Sequence, residues 1–289
     1  MMPPSPLAAP VERDTSETER PVFVWAAGAP AHRSLVLRAE IERLRLLLAR
    51  YALEAVASLV LFAGMFLVFA YLGTVMQGRL SPFDSDPRVL AVLYVVWTVI
   101  STAAGGCTSQ LAADAATGVL EGLFLTATPV TRILEMRALA HALQGLAMGA
   151  ILLAAFCLGT RWLPSPVMIA TLLACLAGCA LTGLGLALAL SGAALLSKRV
   201  GASMIPINFL CMLAVMGGPA RSAGGHLDIA SGLPFVAAAS ALREALRADT
   251  FAAAFIAIAV GALPWYLIGR AVLARCIVAC RRRGGTHTY

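Results

Sequence analysis

The sequence predicts an all-α polytopic membrane protein, and three of its features support that class. Hydrophobic residues make up 60% of the chain and charged residues only 13%, whereas soluble domains carry about 25% charged residues. Apolar runs of about 20 residues recur, and each is long enough to cross a bilayer core of about 30 Å. Basic residues cluster beside these runs, which favours a role at the membrane surface over nucleic-acid binding.

Six transmembrane helices follow from the apolar runs. They are predicted at about residues 51–72, 89–111, 138–159, 167–196, 200–217 and 251–270. Pro206 and Asn208 are expected to interrupt the fifth of them. Between the fifth and sixth, a helical segment is predicted to begin at Pro234, either at the outer interface or dipping back into the membrane.

The two ends of the chain differ from its apolar body. Residues 1–31 hold six of the 15 prolines together with mixed charges, a composition typical of a disordered tail. Over 33–50, leucines and an isoleucine repeat at helical spacing opposite arginines, which predicts a basic amphipathic helix. This helix either lies in the membrane interface or simply leads into the first span. Residues 276–289 are predicted to form a basic tail.

The basic residues also predict the topology. With six spans both termini lie on one side, and 16 of the 22 basic residues fall on that side. By the positive-inside rule both termini are then cytoplasmic, in a multi-pass protein of the cell membrane. The same rule places residues 114–137 in the cytoplasm.

The seven cysteines do not predict a disulfide framework or a metal site. Most lie inside apolar runs, where a free thiol packs as a small hydrophobe. The i,i+4 pair Cys175/Cys179 has no histidine or acid beside it, and Cys276/Cys280 lies next to arginines that disfavour a cation.

Residues 114–137, DAATGVLEGLFLTATPVTRILEMR, interrupt the apolar runs between the second and third spans. From Thr117 this segment can form a short helix that Asp114 or Thr117 caps. Pro129 disfavours helical geometry at Thr128 and so ends the helix. Such an amphipathic helix either transmits force from a docked cytoplasmic protein or only shields the membrane face. Its apolar stripe consists of Val119, Leu120, Leu123 and Phe124.

The string TGVLEGLFLTATP, from Thr117 to Pro129, resembles the signature of type-2 ABC transporter permeases. That signature reads Gly-Thr-Leu-Glu, then Leu, then Thr-Pro and an apolar pair before the next span. In this chain Val119 replaces the usual Thr, and the Thr-Pro pair falls later after the Glu. The predicted layout is similar to that family too. It has an amphipathic entry helix, six spans, a coupling helix between the second and third spans, and an outer helix before the sixth. The matching residues are Gly118, Leu120, Glu121, Leu123, Thr128 and Pro129.

The resemblance implies that residues 32–275 form the transmembrane domain of an exporter. Two permease subunits, identical or homologous, would pair, and a separate cytoplasmic ATPase would bind ATP and Mg and dock on the coupling helix. The chain itself would be no enzyme, because its only lysine, Lys198, lies in ALLSKR and not in a phosphate-binding loop. The implied ATPase contacts are Asp114, Thr117, Gly118, Leu120, Glu121, Gly122, Leu123, Phe124, Thr128 and Pro129.

Polar residues within the spans are candidates for a transport pathway, because polar groups at membrane depth are costly and often functional. Interhelical hydrogen bonding is the alternative for the histidine and glutamine of the third span. Glycines of the third and fourth spans are predicted to pack helices within the subunit. The pathway candidates are His141, Gln144, Ser203, Pro206 and Asn208.

Other functions remain open at this stage. An ion-coupled secondary transporter usually carries ion sites at the membrane midplane, but the spans hold hardly any central carboxylates. An intramembrane enzyme would need paired catalytic groups at depth, and a fourth reading is an assembly protein that only recruits an ATPase. If the chain is a transporter, its apolar path predicts a hydrophobic or amphiphilic substrate.

Overall fold

A computed structural model describes residues 33–75, 86–126, 128–196, 201–217, 234–248 and 251–282. All regular structure within these ranges is α-helical. The tail predicted for residues 1–31 lies outside the described residues. The helices are α1 (Arg33–Arg50), α2 (Ala52–Val75), α3 (Pro87–Ala116), α4 (Val119–Leu125), α5 (Val130–Thr160), α6 (Pro166–Leu196), α7 (Gly201–Gly217), α8 (Pro234–Ala248) and α9 (Phe251–Arg282).

Within the described ranges, five helices are long and apolar enough to cross a membrane, namely α2, α3, α5, α6 and α9. They give the chain the character of a multi-pass membrane protein. The predicted fifth span corresponds to α7, whose 17 residues rise about 26 Å, slightly less than a bilayer core of about 30 Å. Six spans therefore remain a prediction.

One sequence prediction about helix continuity is wrong. Pro206 lies inside α7 and does not interrupt it, so the helix continues past the backbone hydrogen bond that this proline removes. Helix α9 continues to Arg282, beyond the predicted end of the sixth span at about residue 270, so residues 276–282 of the predicted basic tail are helical. Arginines in the last turn of α9 complement the negative end of the helix dipole. The boundaries of α1 and the start of α8 at Pro234 are confirmed.

Helix α3 is the centre of the bundle. Its first half, from Val89 to Ile100, is almost completely buried, as expected for a helix that is apolar on every side. Side chains of α2, α6, α7 and α8 pack around this half, and α5 follows α3 along its length. A second apolar cluster forms around Cys107 and Leu111 in the other half.

The bundle has two ends with different helices. At one end, here called the α4 end, Leu120 of α4 belongs to the same apolar cluster as Val130 at the start of α5 and Leu195 and Ile277 near the ends of α6 and α9. The opposite end, the α8 end, holds α8 against the first turns of α3, α6 and α9. Each end thus gathers residues that are far apart in the chain.

Glycines let two helix pairs approach closely. Gly178, Gly185 and Gly192 are seven residues apart on α6 and face Ile258, Trp265 and Leu273 of α9 in turn; we call this contact the glycine seam. Gly145 and Gly149 of α5 lie against Val95 and Val99 of α3. The prediction that these glycines pack helices within the subunit is confirmed, because small residues let helix backbones come together.

Candidate functional site

Four charged side chains meet where α1 crosses the α4 end. We call Glu40, Arg43, Asp114 and Arg137 the charge cluster. Arg137 Nη1 donates to Asp114 Oδ2 at 2.6 Å, and Arg43 Nη2 donates to Asp114 Oδ1 at 2.8 Å. Arg137 Nε lies 3.5 Å from Glu40 Oε2. Because these residues belong to α1, α3 and α5, the charge cluster joins three helices by ionic contacts.

The charge cluster is enclosed by protein. Arg137 is 1% exposed, Asp114 5% and Glu40 8%, whereas the Arg43 side chain is about one third exposed. Two carboxylates balance two guanidinium groups, which keeps the buried region neutral. Buried charges need such partners because the surrounding protein solvates them poorly.

Helix α4 begins immediately after the charge cluster. Gly118 precedes its first turn with a φ of 74°, in the left-handed region where a side chain would be strained. No side chain caps α4, so the predicted cap by Asp114 or Thr117 is wrong. Asp114 is instead held by arginines, and the Thr117 hydroxyl donates to the Ala113 carbonyl within α3.

The predicted ATPase contacts divide into an outward and an inward set. Thr117, Gly118, Glu121, Gly122 and Pro129 are exposed. Leu123, Phe124 and Thr128 are half-buried. Leu120 and Asp114 are buried, so neither offers a surface to a docked protein. The outward set therefore forms the surface that could receive a partner, and the inward set attaches α4 to the bundle.

Helix α9 also reaches this end of the molecule. The guanidinium carbon of Arg281 lies 5.9 Å from the centre of the Phe124 ring on α4, within the range of a cation–π contact. One face of α9 meets α5 through Arg270, whose Nε lies 2.7 Å from Glu135 Oε1. Movement of α4 would therefore act on α9 as well as on α3.

Three of the five pathway candidates line one groove between α2 and the α3–α5–α7 side of the bundle. This groove has a volume of about 960 Å³, and His141, Gln144 and Asn208 form part of its wall. Pro206 is exposed on α7, and the side chain of Ser203 lies outside the described structure. A role of these residues in transport stays a prediction.

His141 packs directly on α3 at the groove. The ring is 4% exposed, and its Nδ1 lies 3.1 Å from Gln144 Oε1 on the same helix, so this contact is not the interhelical hydrogen bond of the alternative. Gly106 leaves the space for this ring, since a methyl group added there would lie 2.8 Å from His141 Cγ.

We expect Gly106→Ala to lower the free energy of unfolding by about 1–3 kcal/mol, the usual cost of overpacking. Gly105→Ala is the matched control, because its added methyl would meet only Asn208 Nδ2 at an ordinary 3.7 Å. Thermal denaturation of both variants in detergent measures the difference. Equal stability of the two variants would contradict the tight fit of His141 on Gly106.

Sequence reasoning did not identify Glu40, Arg43 and Arg137 as partners of Asp114. Arg43 and Arg137 entered only the charge count, and Glu40 was assigned no role. The signal available in the sequence was that residues 33–50 and 114–137 both hold acidic and basic side chains. Only tertiary packing shows that these two segments meet. Within the described residues, no group of three histidines, cysteines or acids is placed to hold a metal ion.

Comparisons with known proteins do not add a relative to these observations. The scan of family models, the search of curated proteins and the search of solved structures each find no match to this chain. Its function is therefore inferred from the charge cluster, the groove and the helices that carry them.

Proposed function

We propose that this chain is the membrane-spanning permease subunit of an ATP-driven exporter of the type-2 ABC kind. A separate cytoplasmic ATPase docks on the outward side of α4, and hydrolysis of its ATP, bound with Mg, drives the membrane helices between two states. The observation that carries the proposal is the charge cluster directly before α4, where Asp114 in the last turn of α3 pairs with Arg43 of α1 and Arg137 of α5.

The packing of α4 supports a role in transmitting force. Leu120 is buried in an apolar cluster that also holds side chains of α3, α5, α6 and α9, and Phe124 contacts Arg281. A short helix anchored in this way cannot shift alone, because close-packed interiors move their neighbours with them. Buried ion pairs add directional contacts that favour discrete arrangements over gradual sliding.

The exposed surface of α4 supports a docked protein. Val119 is 49% and Leu125 88% exposed, and the acid Glu121 lies between them in the sequence. Apolar side chains beside a charge are a common composition for a protein interface. In this proposal the α4 end faces the cytoplasm, both termini lie there, and a second permease subunit completes the transport path through the bilayer.

Glu121→Arg tests the docking surface. We expect the tagged chain to co-purify with a cytoplasmic ATPase, and the charge reversal to weaken that association about tenfold, equivalent to about 1.4 kcal/mol. Quantitative pull-down and substrate-dependent ATP hydrolysis in reconstituted membranes provide the two measurements.

Glu244→Arg is the matched control, because Glu244 is exposed on α8 at the opposite end of the bundle. This variant should keep full association and hydrolysis. Unchanged coupling in Glu121→Arg would contradict the docking assignment. Substrate flux that persists without ATP would favour an ion-coupled secondary transporter instead.

A further inference from the structure

The arginines of α9 divide into those that have a partner in the protein and those that have none. Arg270 forms an ion pair with α5, and Arg281 lies over an aromatic ring of α4. Arg275 and Arg282 are exposed, and neither makes an ion pair or a hydrogen bond within the part of the chain that the structure describes. Two charges near the α4 end are therefore left for a partner outside the chain.

Helical geometry places these two arginines on the side of α9 that faces away from the bundle. Ile268, Arg275 and Arg282 follow one another at intervals of seven residues, about two helical turns, so they lie in one row. Ile268 is 49% exposed, and Val278, between the arginines in the sequence, is 48% exposed. The opposite side of the helix packs on the bundle through residues such as Leu273, which is completely buried. In a membrane-spanning helix, the exposed apolar side is the side that contacts lipid.

An arginine on a lipid-facing side needs an anion, because hydrocarbon solvates its charge poorly. The charge cluster meets this need with carboxylates, but no acidic side chain among the described residues pairs with Arg275 or Arg282. The long apolar stem of an arginine can follow the helix surface while its guanidinium reaches the head-group layer. There it meets lipid phosphates, whose oxygens a guanidinium binds through two parallel hydrogen bonds.

The charge and the apolar residues of α9 indicate which molecule fits. Helix α9 contains no acidic residue, so nothing on the helix repels an anion. A zwitterionic head group carries a cation beside its phosphate, which a guanidinium repels, whereas an anionic head group carries no such cation. The exposed apolar neighbours of the two arginines favour a molecule with acyl chains over a soluble anion.

We propose that Arg275 and Arg282 bind the head group of an anionic phospholipid in the leaflet at the α4 end. Arg281, in the same last turn, contacts Phe124 of α4, so the bound lipid also fixes the end of α9 against α4. The site is a property of this chain alone and does not depend on an ATPase docked on α4.

A tryptophan beside the two arginines reports which lipid lies next to them. The four tryptophans of the chain are replaced by phenylalanine, and Val278→Trp supplies the fluorophore. The bilayer mixes phosphatidylglycerol, whose acyl chains carry bromine and quench tryptophan on contact, with unbrominated phosphatidylcholine; a second bilayer has the bromine on the other lipid. We expect phosphatidylglycerol to be preferred about fivefold for each arginine, which corresponds to about 1 kcal/mol per basic residue near the membrane surface.

The same helix offers a matched control for the reporter. Val260 is 69% exposed and lies on the same side of α9 about five turns towards the α8 end, so Val260→Trp should show no preference. Arg275→Gln and Arg282→Gln should each lower the preference at Val278→Trp about fivefold, and the double variant should abolish it. Arg38→Gln removes an exposed charge from α1 and should leave the preference unchanged.

The reactivity of Cys280 measures the effect of the lipid on the end of α9. This cysteine lies in the last turns of the helix and is 5% exposed. A neutral maleimide is applied to the chain with its natural tryptophans, and mass spectrometry follows the labelled peptide. Phosphatidylglycerol should slow labelling at least about fivefold relative to pure phosphatidylcholine, because a ligand bound to the closed state opposes local opening. The double variant should react at the same rate in both bilayers.

Equal quenching by the two lipids at Val278→Trp would overturn the proposed site, and so would a preference that survives Arg275→Gln and Arg282→Gln combined. If neither lipid quenched this reporter, protein would cover that side of α9 and the lipid assignment would fail. Competition by inorganic phosphate at constant ionic strength would assign the arginines to a soluble anion instead. Equal reactivity of Cys280 in the two bilayers would overturn the link to α4.

Discussion

Replacement of Asp114 by asparagine should lower the free energy of unfolding by about 3–5 kcal/mol, the cost of removing one partner from a buried ion pair. Asp114 accepts hydrogen bonds from both Arg137 and Arg43. Asparagine has nearly the same shape but no charge, so the charge cluster would keep two guanidinium groups and one carboxylate. Because Arg137 is 1% exposed, water cannot replace the lost carboxylate as its partner.

Thermal denaturation in detergent can measure this effect through thiol labelling. Cys107 and Cys179 are completely buried and should react with a dye only when the bundle opens. Arg137→Met should destabilise to a similar extent. The double variant Asp114→Asn/Arg137→Met should lose less than the sum of the two single losses, since it restores a neutral cluster.

The exposed pair of Arg45 and Glu42 is the internal control for Asp114→Asn. Arg45 Nη1 lies 3.8 Å from Glu42 Oε2, and the two side chains are 79% and 55% exposed. Exposed pairs contribute at most about 1 kcal/mol, so Glu42→Gln should stay within that limit. If Asp114→Asn were as mild as this control, the charge cluster would not be an important link between α1, α3 and α5.

Replacement of Gly185 by valine should disrupt the glycine seam and destabilise the protein by about 3 kcal/mol, the upper end of the usual cost of overpacking. A methyl added at Gly185 would lie 2.5 Å from the Trp265 carbonyl oxygen on α9. The obstacle is backbone, which cannot rotate away as a side chain could. A methyl at Gly269 would meet the backbone of Gly185 in turn, so relief requires separation of α6 and α9.

Gly261→Val is the matched control for the glycine seam. Gly261 lies on α9 two turns before Gly269, and an added methyl there would meet no atom within 4 Å. The same thiol-labelling assay should show a large decrease in melting temperature for Gly185→Val and little change for Gly261→Val. Similar decreases for both would indicate that helix propensity, and not the close approach of α6 and α9, accounts for the loss.

The losses of stability expected for Asp114→Asn and for Gly185→Val have different consequences for the proposed transporter. The glycine seam holds α6 and α9 together near the middle of the bundle, and its loss would lower the amount of folded protein. The charge cluster joins α1, α3 and α5 at the α4 end. Mild substitutions there, such as Glu40→Gln, are therefore suited to separating coupling from folding in the assays described for Glu121.

The presence of the helices was predictable from the sequence because helix formation follows from local composition. The limits of α1 and the start of α8 at Pro234 agree with apolar periodicity and with the preference of proline for a first helical turn. The helical extension of α9 beyond about residue 270 was not predicted, because the arginines there were taken only as a sign of a tail. Arginine is a good helix former and is favoured in a last turn, so α9 continues to Arg282.

The site was only partly predictable, since its members come from distant segments. The string around Glu121 marked α4 as an amphipathic helix, and the polar residues of α5 and α7 pointed to a groove wall. No local pattern places Glu40 beside Arg137, because the approach of α1 to α5 is a matter of tertiary packing. The same holds for Asp114, which resembles a helix cap in sequence and is an ion-pair partner in the fold.

Composition and periodicity were sufficient for the all-helical membrane class, because a bilayer requires long apolar segments with internally satisfied backbones. They were also sufficient for α4 as a separate amphipathic helix. Only the tertiary structure decided which charges neutralise one another and which glycines contact a neighbouring helix. Those outcomes depend on distances between α1, α3, α5, α6 and α9, and burial makes each of them energetically important.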